Sequence, residues 1–478
     1  MRTTSLLLCL GLLGLASACA YKVVHGGRLS PSAIERLLSD VERIRGLKAT
    51  APLRVSLEGR QRLRTRSEAD LHRPSFLQSM EELSQAWMKI GLVPPNTDLA
   101  AAFTAVGSEA PAGYYDTSDR ILRIIDRQNP RSEILELTGF VRRRDLMDGE
   151  VLAHEVAHAL QDMHFDLNRF LSTAPNDDAS VARRCLAEGD ASFVGYAYSS
   201  VFTPSMEAWL KFLESRASAL DVRGAPDFLN RRFQLPYISG ARFVAKLHRK
   251  GGWKLVNAAY ADPPASTEEI LHPEKYLEGR DRPVDVRLPD LRKLLPEGSR
   301  EIFQDSVGEL GFKTVLARER PDDKAKEEPT VNDAALGWDG DRASVLVRNG
   351  ELLLAWKLAF DDEKDAREGF EAYRMMAERY PAYAVIKREG ERMEARTGPV
   401  GLWLERQGLV VVVLEGFPLD SQARIAEAVF HEPDGHAFDP PGTDGGGLED
   451  GGVVDGGEAD ASVDAGVATD AGDGGVTP

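Results

Sequence analysis

The stretch VLAHEVAHAL, Val151 to Leu160, sets His154 and His158 four residues apart, with Glu155 directly after the first. On a helix, positions four apart stand one above the other on the same face. Two imidazoles then aim at one point, a spacing suited to two ligands of a single Zn2+ ion. Glu155 leans to the side of the first histidine, where its carboxylate can reach a metal-bound water without coordinating the metal. Leu152, Val156, Ala159, Leu160 and Met163 make the opposite face apolar. Such a helix buries that stripe and turns its histidines toward a cleft. The competing reading of the same residues is an ordinary helix with two capped or solvated histidines.

Two histidines do not complete a catalytic centre, which needs three protein ligands and one open position. The stretch VARRCLAEGDASFVGYAY reads as a helix carrying Glu188, thirty positions after His158. The gap accommodates the end of one helix, a loop (LSTAPNDDAS) and an antiparallel return helix, so Glu188 can meet the histidines. The alternative is a surface or capping glutamate. Of the other candidates nearby, His164 is six positions after His158 and points away. Asp162, four after His158, stays on the ligand face and either orients an imidazole or sits in solvent. Cys185 reads as buried filler rather than a ligand.

HEVAH followed by LAEGDAS resembles the gluzincin clan of zinc metallopeptidases, the thermolysin-like arrangement. The hairpin-like stretch GYYDTSDRILRIID lies where that clan has its active-site sheet edge. The resemblance implies a zinc ion held by His154, His158 and Glu188, with Glu155 as general base. It also implies a Tyr and a His that stabilise the oxyanion. Tyr237 in LPYISG, expected to open a helix, and His272 in ILHPEKYL, kept extended by the proline after it, are the candidates. A packing tyrosine and a loop histidine are the competing readings. Thermolysin-like enzymes often carry an orienting Asp four residues after the ligand Glu. Here that position is Ser192, and Asp190 lies on a different face. The combination HE..HALQD.HF, EGDA, PY..G..FV and LHPEKY, spread from Gly113 to Tyr276 over about a third of the chain, also resembles a group of uncharacterised bacterial lipoproteins. The activity implied is hydrolysis of a peptide or protein substrate. A non-catalytic envelope lipoprotein that uses the fold as a binding module is the alternative, and the intact Glu155 speaks against it.

The elements that must position these residues give an α+β fold class. A mostly helical, zincin-like domain with a small β-sheet edge is expected over 20–317. Within it, Ser30 to Arg66 and SFLQSMEELSQAWMKIGL read as helical, Gly113 to Asp126 as a hairpin, and helices follow at Asp148–Leu167, Ala179–Ser200, Thr203–Ala217 and Tyr237–Lys250, with a restart at Trp253. A charged linker is expected at 318–335. A smaller α+β domain at 336–431 opens on a hairpin with Asn349-Gly350 at its turn. From 432 to 478 the composition is Gly, Asp, Ala and Val, too poor in large apolar residues to fold.

The net charge of −17 is concentrated in that tail. Twelve acidic residues and no Lys or Arg follow from Glu432 on, which leaves −5 for the rest. A near-neutral body excludes a nucleic-acid partner. At the start, Arg2, the apolar run Ser5–Leu15 and the small residues after it read as a secretory signal over 1–19. Leu15-Ala16-Ser17-Ala18-Cys19 resembles a bacterial lipobox, which implies a lipidated Cys19, attachment to a membrane and a place in the cell envelope; plain cleavage after Ala18 is the alternative. With Cys9 in the signal and Cys19 the anchor, Cys185 alone would stay inside the mature fold, which rules out an intramolecular disulfide.

Overall fold

The computed structural model describes residues 22–25, 27–59, 74–107, 112–125, 148–199, 206–215, 224–317, 329–379 and 383–435. The leader with Cys19, most of the charged segment from Arg318, and the chain beyond Gly435 lie outside the described residues. The chain opens with β1 (Val24–His25), β2 (Arg28–Leu29), α1 (Pro31–Arg45) and β3 (Arg54–Glu58). Then come α2 (Pro74–Ile90), α3 (Leu99–Gly107), β4 (Gly113–Asp116) and β5 (Ile121–Ile125). Six helices follow: α4 (Gly149–Phe165), α5 (Leu167–Ser172), α6 (Asp177–Ser199), α7 (Met206–Ser215), α8 (Asp227–Ala261) and α9 (Thr267–Leu271). The second part comprises α10 (Pro273–Leu277), β6 (Arg300–Asp305), α11 (Gly308–Ala317), α12 (Pro329–Leu336), β7 (Trp338–Arg348), β8 (Glu351–Phe360) and α13 (Glu363–Arg379). It closes with β9 (Ala384–Glu389), β10 (Arg392–Thr397), β11 (Val400–Gln407), β12 (Val410–Pro418) and α14 (Leu419–His431). The fold is α+β. Among the described residues no helix is long and apolar enough to cross a membrane.

The expected hairpin forms as β4 and β5, paired antiparallel, and β3 joins β5 in parallel to complete a three-stranded sheet. Strand β3 corrects the helical expectation over Ser30–Arg66. RVSLE is short and alternating, and pairing with β5 lets Val55 and Leu57 pack on the core under α4, so tertiary contacts override local preference.

Helix α4 buries the apolar stripe read from the sequence: Leu152, Val156, Ala159 and Leu160 are all within 1% of full burial. Helix α6 returns antiparallel beside it and comes close enough that a Cβ on Gly195 would stand 2.8 Å from the Glu150 carbonyl oxygen. On its other side α6 crosses α8 with backbones in contact. A Cβ on Gly189 would lie 2.2 Å from the Gly240 carbonyl oxygen, and one on Gly240 2.3 Å from that of Cys185. Small residues at these crossings let the helices around Glu188 approach to contact distance.

Helix α8 is longer than expected. It starts after Pro226 and carries Pro236 inside, so Tyr237 sits within the helix rather than at its start. The buried Phe228, Leu229 and Leu235 anchor the turns before the proline in the core. The break expected before Trp253 is present: Gly251 and Gly252 leave helical geometry, with φ of −146° and +62°.

The second sheet has seven antiparallel strands in the order β6-β7-β8-β12-β11-β10-β9. Both faces are covered. Phe312, Tyr373 and Met376 lie on one side, and Leu291, Ile425 and Val429 on the other. That double burial explains the continuous apolar runs in β8 and β12.

Two expected boundaries move. Strand β6 pairs with β7, so the sheet begins at Arg300, upstream of the segment taken as a linker over 318–335. Residues 329–336 of that segment are helical, with Val331, Ala334 and Ala335 buried. Asp341 on β7 ties the two sides of the segment together by accepting hydrogen bonds from Ser306 Oγ, the Val307 and Gly308 amides and Trp356 Nε1. The charged stretch therefore connects two parts of one unit. A single apolar core runs from Trp87, Leu186 and Phe243 through Phe312 to Trp356 and Phe370, so the helical part and the sheet are not separate bodies. At the other end, residues 432–435 belong to the fold and not to the tail. Lys357 Nζ, on a side chain 2% exposed, bonds Glu432 O at 2.8 Å and Asp434 Oδ1 at 2.9 Å, and Gly435 bridges Asp285.

Candidate metal centre

Helices α4 and α6 bring His154, His158 and Glu188 to one point. His154 Nε2 lies 3.0 Å from His158 Nε2 and 3.0 Å from Glu188 Oε2, and His158 Nε2 lies 3.4 Å from Glu188 Oε2. Three ligand-type atoms converge, one from each side chain, a grouping able to hold a metal ion. The imidazole planes stand nearly perpendicular, at 83°, edge to face, with centroids 4.6 Å apart.

Glu155 stays out of this group. Its Oε2 accepts the Tyr115 amide of β4 at 2.9 Å, which fixes the carboxylate between the sheet edge and the histidines. Burial raises its pKa above the ordinary glutamate value, with Glu188 adding to the rise, against the pull of the two histidines. Glu188 behaves in the opposite way. Burial opposes its ionisation, but the two imidazoles outweigh that and hold its pKa well below the carboxylate range. His158 is the complement: burial disfavours its charge, and Glu188 pushes its pKa up to about 10. Two glutamates of one site are thus driven in opposite directions, Glu155 up and Glu188 down.

Of the two other catalytic candidates, the structure brings in one. Tyr237 is 36% exposed and its ring stacks near His154, with centroids 6.2 Å apart and 28° between planes. His272 is engaged elsewhere, at the α9–α10 junction, where its Nε2 lies 3.0 Å from Glu309 Oε1 on α11. The start of α9 is bonded to Asp178, through the Thr267 amide and hydroxyl. Asp178 is ten residues before Glu188, about 15 Å along α6. The expected pairing of Tyr237 with His272 over the cluster is therefore corrected: His272 stands between two short helices, with Pro273 opening the second, and its ring is held by Glu309.

The orienting groups differ from expectation as well. Asp162 is neither solvated nor bonded to an imidazole. It is buried, accepts Tyr115 Oη at 2.9 Å and the Leu167 amide at 3.0 Å, and thereby fastens α4 to β4. Asp190 forms a fully buried ion pair with Arg45, 2.7 Å from its Nε, and accepts Tyr260 Oη at 2.8 Å. Arg45 lies over the Trp253 ring at 4.3 Å, so this network locks α6 to α1 and α8 two residues beyond Glu188. Cys185 is buried core, its thiol pKa raised by burial. His164 bonds the Lys48 carbonyl, away from the cluster as its helical angle requires. The group that touches an imidazole is Gln161, whose Oε1 lies 2.9 Å from His158 Nδ1. Its position three after His158, on the same side of the helix, was the available signal.

A second grouping of ligand-type side chains, Glu268, Asp281 and Asp361, lies apart from the first. Its centre is taken by the Lys275 ammonium, 2.6 Å from Glu268 and 2.8 Å from each aspartate. A cavity of about 10 Å³ between α6 and the second sheet, lined by Asp178, Ser306, Trp338 and Asp341, has room for a single water.

Residues 294–426 match a family model described as a domain of unknown function (DUF8575). The match covers β6 to β12 and most of α14 and leaves α4 and α6 outside. It begins ahead of β6, in agreement with a sheet unit that starts before the charged segment. No curated protein and no solved structure matches the chain.

Proposed function

We propose that this chain is a zinc-dependent metallopeptidase of gluzincin type with a zincin-like helical part, exported and held at a membrane of the cell envelope through Cys19. The observation that carries the proposal is the spacing of the three donors. Atoms bound about 2.1 Å from one zinc ion at tetrahedral angles lie about 3.4 Å apart. The separations in the cluster are 3.0, 3.0 and 3.4 Å, so the donors converge to nearly that figure with one direction left open. Two imidazoles and a carboxylate are also the donor set of peptidase zinc sites.

A zinc ion held there would supply an activated water and polarise a carbonyl. The chain's own groups do the rest. Glu155, fixed by the Tyr115 amide and with its pKa raised by burial, is placed to take the proton of the attacking water and hand it to the leaving amine nitrogen. Tyr237 places a phenol beside His154, where it can donate to the developing oxyanion. His272 has no part in this reading. The substrate is a peptide or protein.

Metal analysis of purified protein tests the reading first, with one zinc per chain expected and a metal-free protein overturning it. Glu155→Gln should keep its zinc and lose about 10²–10⁴-fold in cleavage of a fluorogenic peptide library, the usual worth of general acid–base catalysis. Equal background turnover in wild type and Glu155→Gln, both zinc-loaded, would favour the binding module instead.

A further inference from the structure

We propose that Gln161 is a positioning residue that fixes the tautomer of His158 and braces the helix carrying Glu188, so that one side chain presets two of the three metal ligands. The proposal rests on the zinc reading above and extends it to a residue that touches neither metal nor substrate.

The argument is a chain of donor and acceptor identities. Gln161 is fully buried. Its amide lies 3.1 Å from the carbonyl oxygen of Ala187, the residue before Glu188. A carbonyl oxygen can only accept, so the amide nitrogen must face it. The amide oxygen is then turned the other way, to His158 Nδ1 at 2.9 Å. An amide oxygen can only accept, so Nδ1 carries the proton. With the ring neutral, as metal binding requires, the proton on Nδ1 leaves the lone pair on His158 Nε2, the atom that points into the cluster, 3.0 Å from His154 Nε2 and 3.4 Å from Glu188 Oε2. The tautomer that can bind a metal is thus dictated, two hydrogen bonds away, by the backbone of α6.

The same amide links α4 to α6 at the level of Glu188, so ring and carboxylate keep a fixed separation. The neighbouring acid cannot do this work. Both Asp162 oxygens are committed, to the Tyr115 hydroxyl and the Leu167 amide. Packing alone does not explain the glutamine either, because a methionine of similar volume would fill the space without burying an amide.

Two variants separate positioning from packing. Gln161→Met removes the acceptor at Nδ1 and the donor to Ala187. Gln161→Glu keeps an acceptor at Nδ1 and sets a carboxylate oxygen against the Ala187 carbonyl. We expect zinc affinity, measured by chelator competition on folded protein, to fall about 10–100-fold in Gln161→Met, the usual effect of losing such a partner. Gln161→Glu should keep most of the affinity while melting at lower temperature than Gln161→Met. Nitrogen-15 spectra of the zinc-loaded wild type should show His158 bound through Nε2 with a protonated Nδ1. Wild-type affinity in Gln161→Met, equal losses in both variants, or coordination through Nδ1 in the wild type would each overturn the proposal while leaving the zinc reading intact. A wild type that takes up no zinc would overturn both.

Discussion

Two clusters of ligand-type side chains occur in this chain, and they differ in what fills them. At His154, His158 and Glu188 the donor atoms converge on each other. At Glu268, Asp281 and Asp361 they converge on an ammonium that the chain itself supplies, Lys275. Burial works against that charge, but the three carboxylates hold the lysine pKa above its ordinary value. The sheet resolves its other buried charges in the same way: Lys357 meets Asp434 and a carbonyl, and Asp341 accepts four different donors. Buried polar groups with complete internal partners serve the fold. The cluster on α4 and α6 is made of two imidazoles and a carboxylate, with no lysine or arginine paired to it among the described residues, and that difference in composition separates a structural ion pair from a candidate centre.

The comparison breaks most visibly if the lysine is removed. Lys275→Met leaves three carboxyl groups facing one another at a partly buried position, one of them, Glu268, 1% exposed and pushed up to about 10 by burial even beside the lysine. Removing one partner of a buried ion pair costs several kcal/mol, and the partial exposure of the aspartates places this case near about 3 kcal/mol. Denaturant unfolding reads the loss. If the two clusters differ only in what fills them, millimolar calcium should restore part of the stability of Lys275→Met and do nothing for the wild type. A variant as stable as wild type, with no response to calcium, would show that the carboxylates do not form a cation-shaped group and that the comparison fails.

Much of this was readable in advance, and what was not has a physical cause. His154, His158 and Glu155 follow from helical period alone, because the geometry of α4 is set within ten residues. Glu188 stands out through the resemblance, which implies a ligand glutamate on a following helix, and the thirty-position gap has room for the loop and return that it needs. Gln161 does not stand out in the sequence, because an amide is chemically silent until its two partners are known, and one of them, the Ala187 carbonyl, lies on another helix. Pro236 makes Tyr237 read as a helix start, because proline usually stands there, whereas the buried turns from Phe228 to Leu235 carry α8 through Pro236. Strand β6, which lies ahead of the charged segment, exists through its pairing with β7. A pairing partner more than thirty residues away leaves no local mark.

A second contrast is in pH. The acids between α6 and the second sheet are stabilised in the protonated form. Burial pushes Asp178 up to about 7, against two hydrogen bonds from Thr267, and takes Asp305 to about 6 and Asp339 to about 7. These folded values lie above the unfolded ones. The native state therefore binds protons that the unfolded chain has released, and the stabilisation is full below pH about 4 and lost as pH rises through 6 to 7. Asp178→Asn isolates one group. From pH 5.5 to 7 the wild type should lose about 2 kcal/mol relative to the variant, at about 1.4 kcal/mol per unit of pH. Parallel stability curves for the two proteins would mean that Asp178 is ionised throughout, and that this junction satisfies its charges as fully as the sheet does.

The smallest expected effect tests how far the sheet and the metal centre are independent. The β7–β8 turn has Asn349 at φ 53° and Gly350 at φ 82°, both left-handed, as a two-residue hairpin of this hand requires. Gly350 has open space around it, so an added Cβ meets no atom within 4 Å and only the backbone conformation resists substitution. Gly350→Ala should cost about 1 kcal/mol through that strain alone. Zinc affinity should stay at the wild-type value, because among the described residues β7 and β8 share a core with α6, α4 packs in a separate cluster, and the hydrogen bonds of the cluster's ligands run within α4 and α6. A measured drop in affinity as well as stability would mean that local strain in the sheet is transmitted to α6. The core running from Trp356 to Leu186 would then carry the coupling, and the contrast between a self-satisfied sheet and an open metal centre would give way to one mechanically linked unit.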